Sequence, residues 1–181
     1  TISQAVDLYK ADNECVDSIS TCVSYISKGD ENCENFAPIA AKMNVIASVK
    51  NANKSTADWL PDKAYNYAGE EQEGIYGGVS KRNIGTCAYL LNDGTTFAVD
   101  INPTNFDIMV DVNGKKGPNI VGRDTFAIKI HSNGLLDELC NSAPCSAEER
   151  EQLFTNHCIK SSSLWWGCFG KILNDNWQMN Y

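Results

Sequence analysis

Asp111, Asn113, Asn119 and Asp124 crowd into the run DVNGKKGPNIVGRD at 111–124, with three Gly and Pro118 among them. Carboxylate and amide oxygens are hard donors, and glycines let backbone carbonyls turn inward, so the set could hold a calcium ion. An EF-hand needs Gly at the sixth loop position and Glu at the twelfth. Here Gly114 stands fourth and Gly122 twelfth, which excludes that motif. The same residue types also work without an ion, Asn and Asp accepting from nearby N–H groups in Asx turns while Gly takes a positive φ. A self-bonded loop is the simpler expectation, with calcium at Asp111, Asn113, Asn119 and Asp124 as the alternative.

Other chemistry is sparse. His131 and His157 lie far apart, and a Cys158–His157 nucleophile pair would need a free thiolate. No G-x-S-x-G, H-E-x-x-H, P-loop or dinucleotide fingerprint occurs. The acidic run Glu70-Glu71-x-Glu73 reads as a solvated loop. No catalytic residues are expected, and no cofactor apart from calcium. Trp165 and Trp166 sit between cysteines, where adjacent indoles could stack on a sugar or on a neighbouring subunit. The expected arrangement is one indole in the core and one over a disulfide.

The chain has 181 residues, enough for one domain that buries a sizeable core. Its 15 Lys and Arg against 23 Asp and Glu leave a net charge of −8. Such a surface repels phosphate backbones, so no general nucleic-acid binding is expected. Cys15, Cys22, Cys33, Cys87, Cys140, Cys145, Cys158 and Cys168 form an even set without C-x-x-C spacing. They imply a disulfide framework made in an oxidising compartment, its connectivity open, with Cys158–Cys168 the bridge expected locally. Export without a visible signal implies a signal already removed.

The elements that must position these residues fall into two periods. Ile2, Ala5, Val6 and Tyr9 form one helical stripe, with Thr1 the only N-cap, so the helix is expected to continue upstream. Val16, Ile19, Val23 and Ile26 form a second stripe, and Phe36, Ile39, Ala40, Met43 and Ile46 a third. Residues 50–85 read as a long surface loop. Alternation then takes over in three apolar triplets, Phe97-Val99-Ile101, Phe106-Ile108-Val110 and Phe126-Ile128-Ile130. Each predicts a strand with one apolar and one wet face, as in antiparallel sheet. Asp93-Gly94 marks a hairpin joining Cys87–Leu91 to the first. Ser146 and Glu149 form a capping box opening a helix over 146–157. Trp177, Met179 and Tyr181 alternate as a final strand. The fold class predicted is α+β: an N-terminal amphipathic helix packed on an antiparallel sheet of four or more strands, with a disulfide-rich C-terminal region.

That order, together with Phe97-Ala98-Val99-Asp100-Ile101, the run Val110–Asn119, Gly122-Arg123-Asp124-x-Phe126 and the ending 171–181, resembles the soluble headgroup of a type IV pilin or pseudopilin. The likeness covers 97–126 and 171–181, and 1–49 by pattern alone. It implies a structural subunit of an extracellular pilus or a periplasmic secretion pseudopilus. Its partners would be other such subunits in a helical filament, and the inner membrane through a hydrophobic stem that this sequence lacks. The alternative is a secreted carbohydrate- or surface-binding module using Trp165 and Trp166.

Overall fold

The computed structural model describes residues 1–15, 17–23, 33–50, 57–72, 87–101, 105–160 and 165–181. Helix α1 (Ile2–Asp12) buries Ala5, Val6 and Tyr9, as its stripe requires. Helix α2 is a single turn, Ala37–Ala40. A six-stranded antiparallel sheet follows in the order β1 (Val45–Lys50), β4 (Cys87–Leu91), β5 (Thr96–Ile101), β6 (Phe106–Asp111), β7 (Thr125–Ile130) and β8 (Leu136–Asp137). Strands β2 (Ala64–Tyr65) and β3 (Glu71–Gln72) make a separate small hairpin. Helix α3 (Ala147–Leu153) opens on the predicted Ser146–Glu149 capping box and runs into a π turn, Phe154–Cys158. Helix α4 (Cys168–Asn174) closes the order.

One face of the sheet carries Cys87, Tyr89, Phe97, Val99, Phe106, Ile108, Val110, Phe126, Ile128 and Ile130. Ala5, Val6, Tyr9, Phe36 and Ile39 belong to the same buried cluster. Phe97 and Phe106 are wholly buried and Phe126 nearly so, which fixes the register the alternation predicts. Phe36 meets both Phe97 and Phe106 edge-on, with centroids 6.0 and 5.2 Å apart.

The opposite face departs from expectation. It is not wet. Ala88, Ala98, Met109 and Ala127 are paired in one row across β4, β5, β6 and β7. All four are buried in a second cluster with Leu60, flanked by Trp59, Trp165 and Trp166. Small side chains there leave room for a covering layer, so the sheet is apolar on both sides at its centre.

Three further expectations are corrected. The stripe ending at Ile46 is not one helix. Val45–Lys50 forms an edge strand with Ile46 63% exposed, because Val45, Ile46 and Val49 suit a strand and β4 offers a pairing edge. Residues 171–181 hold no strand: α4 occupies the first of them, and Asn176 and Trp177 take left-handed backbone, which breaks any extended ladder. Within the stripe from Val16 to Ile26 the described residues give only a 3₁₀ turn at Ile19–Thr21, tied by the Cys15–Cys22 bridge. Val16 and Ile26 lie outside the described residues, as do 51–56 and 73–85 of the expected loop. The described part of that loop is anchored by fully buried Leu60.

All eight cysteines are paired, as Cys15–Cys22, Cys33–Cys87, Cys140–Cys145 and Cys158–Cys168. No helix among the described residues is long and apolar enough to cross a membrane.

Candidate functional site

The loop between β6 and β7 starts where Asp111 leaves the sheet. Its Oδ1 accepts from the backbone N–H groups of Asn113 (3.2 Å) and Gly114 (2.8 Å), an Asx turn. Gly114 then takes φ 54°, and a Cβ there would lie 2.5 Å from the Gly94 carbonyl oxygen. The β4–β5 hairpin thus packs directly under this loop. A 3₁₀ turn, Gly114–Lys116, leads to the cis peptide Gly117–Pro118.

Asp124 organises the returning half. Its Oδ2 accepts from Asn119 N (2.8 Å) and from Asn113 Nδ2 (3.1 Å), and its Oδ1 accepts from Ile120 N. Asn113 Nδ2 also donates to the Gly117 carbonyl at 2.9 Å. Asn119 Nδ2 donates to the Lys63 carbonyl at 3.3 Å, and Tyr65 N donates to the Asn119 carbonyl at 2.9 Å. The small β2–β3 hairpin is therefore tied to the same loop. All four sequence-predicted residues converge: Asp124 bridges Asn113 and Asn119, and Asp111 holds the backbone of Asn113. Asx bonding accounts for most of their polar atoms.

It does not account for all of them. Asp111 is fully buried, and its Oδ2 has no hydrogen-bond partner. Burial pushes this carboxyl up to about 7, aided by the negative charge of Asp124, against the bonds from Asn113 and Gly114. Asn113 Oδ1 and Asn119 Oδ1 are likewise buried and unpartnered. Leaving such acceptors unmade costs about 1–3 kcal/mol each.

The remaining candidates are structural in position. Trp165 and Trp166 pack edge to face, centroids 5.5 Å apart, against the second cluster, and Trp166 lies 5.0 Å from the His157 ring. Both indoles are half-buried. His157 sits beside Cys158, whose sulfur is bonded to Cys168, so that pair has no thiolate. His131 is buried with Nε2 against the Glu138 carbonyl at 3.2 Å, and burial lowers its pKa.

A second buried polar group escaped sequence reading. Asp137 receives Arg150 through Nε (2.9 Å) and Nη2 (2.6 Å), together with the N–H groups of Glu138 and Cys145. Fully buried Glu138 accepts from Leu139 N and, at 2.8 Å, from Gly170 N, linking β8 to α4. Nothing in the local pattern Leu-Asp-Glu-Leu distinguishes these acids from solvated ones; only the helices docked above them bury them. The chain matches no known protein family, no curated protein and no solved structure.

Proposed function

We propose that this chain is the headgroup of a prepilin-type filament subunit, in an extracellular type IV pilus or a periplasmic secretion pseudopilus. The observation that carries the reading is the antiparallel sheet. Residues 97–126 supply its central strands, and its apolar face shares one buried cluster with the stripe of α1. Four disulfides suit a domain matured outside the cytoplasm. A net charge of −8 suits an exposed, soluble outer surface. The ending 171–181 no longer contributes to the likeness, since it forms a helix and an irregular tail. Assembly would run through a hydrophobic stem preceding Thr1, anchored in the inner membrane before incorporation.

The secreted binding-module alternative has less support. It needs Trp165 and Trp166 free to stack on a ligand, whereas both are half-buried and pack against the second buried cluster. The full-length gene separates the two readings. A filament subunit requires an apolar helix of about 20 residues upstream of Thr1, behind a prepilin-type cleavage site. A conventional secretory signal followed directly by Thr1 would overturn the filament reading.

A further inference from the structure

Beyond the Ala98–Met109–Ala127 row, the second face of the sheet ends in the row Thr96–Asp111–Thr125. Directly paired residues of neighbouring strands point to the same side, so both hydroxyl side chains flank the Asp111 carboxylate. All three residues are buried, at 0%, 0% and 1% exposure. Thr96 Oγ1, Asp111 Oδ2 and Thr125 Oγ1 are all without a hydrogen-bond partner. Asn113 Oδ1 and Asn119 Oδ1 add two more orphan oxygens from the loop that Asp111 begins, on residues whose Nδ2 (Asn113) and backbone N (Asn119) both donate to Asp124 Oδ2.

Five partnerless oxygens around one loop are not what protein interiors normally contain, where nearly every buried polar atom is satisfied. Nor does a protein cation compensate them: among the described residues, neither Asp111 nor Asp124 is ion-paired. Three of the orphans, Asp111 Oδ2, Asn113 Oδ1 and Asn119 Oδ1, can only accept, and the nearby N–H groups are already spent on Asp111 Oδ1 and Asp124.

We propose that this loop and the adjoining strand row bind a hard divalent cation, calcium in preference to magnesium, through Asp111 Oδ2, Asn113 Oδ1 and Asn119 Oδ1. The two threonine hydroxyls and water complete the shell. Calcium accepts irregular sets of six to eight carboxylate, amide and hydroxyl oxygens, whereas magnesium demands a tight octahedron and keeps its own water. Asp124 is a positioning residue, since its oxygens hold the backbone and amide groups that aim the ligands. The site does not depend on the filament reading, and either can fail alone.

The test is calorimetric titration of chelator-dialysed protein with CaCl2 and with MgCl2, paired with thermal melts. Calcium should bind saturably at one site. At roughly a hundredfold excess over Kd it should raise the melting temperature by roughly 5–10 °C, with magnesium at least about tenfold weaker. Asp111→Asn keeps an acceptor for the turn but removes the charge, and should weaken calcium binding by about tenfold or more. Asp93→Asn, in the neighbouring exposed turn, should bind as wild type does. A blank wild-type titration with an unmoved melt overturns the site whatever the variants do. Equal binding by Asp111→Asn overturns the assignment of the ligand, and equally tight magnesium overturns the preference for calcium.

Discussion

Gly114 shows how one residue type can be dictated by its neighbours. Its left-handed φ and the Gly94 carbonyl 2.5 Å from a would-be Cβ leave no room for a side chain. Gly114→Ala should cost about 1–3 kcal/mol in urea unfolding, from backbone strain and displacement of the β4–β5 hairpin. An unchanged midpoint would mean that the hairpin yields freely. Asp137 illustrates charge at the same scale. Burial would raise its pKa, but the Arg150 guanidinium and the N–H groups of Glu138 and Cys145 more than offset this and hold it low. A depressed folded-state pKa gives stability that is present above the unfolded value, near 4, and lost as pH falls through the folded one. Arg150→Met strands a buried carboxylate and should cost about 3–5 kcal/mol at pH 7. The gap from wild type should narrow below about pH 4, as Asp137 takes up its proton. A gap independent of pH would assign Arg150 a packing role only.

The elements were legible where burial is one-sided and illegible where it is not. Phe97, Phe106 and Phe126 declare their strands because a large ring every second residue fits only one face of a pleat. Ala88, Ala98 and Ala127 declare nothing, since alanine is as common on a surface as beneath a covering layer. Only the docking of Leu60, Trp59, Trp165 and Trp166 reveals that face as core. Ile46 reads as the end of a helical stripe because it follows Ile39 by seven residues, while pairing of Val45–Lys50 with β4 decides the outcome. In the loop, convergence of the four ligand-type residues could be anticipated from spacing. The Thr96 and Thr125 hydroxyls could not, since cross-strand register brings them to Asp111. Two substitutions probe the faces separately. Phe106→Ala should cost about 3–5 kcal/mol by opening a cavity beside Phe36 and Ile130. Ala98→Leu should cost about 1–3 kcal/mol by overpacking the second cluster, with a shift in tryptophan emission. Tolerance of Ala98→Leu without that shift would return the second face to solvent.

At the scale of the whole molecule, the disulfides divide the chain unequally. Cys33–Cys87 spans 54 residues and Cys140–Cys145 only 5. Loop-closure entropy assigns about 4 kcal/mol to the first and about 2 to the second. Replacing each pair by serine should therefore lower stability in that order, and the reverse order would show that local strain outweighs chain entropy. Native protein should offer no alkylatable thiol, since all eight are paired. Imaging filaments assembled from the full-length protein decides whether this acidic domain is the outward face of a filament. A reconstruction should show the domain arrayed on the fibre surface, around a core of packed apolar helices. A full-length protein that is secreted as a free monomer, and forms no filament when its assembly machinery is present, would contradict the filament reading.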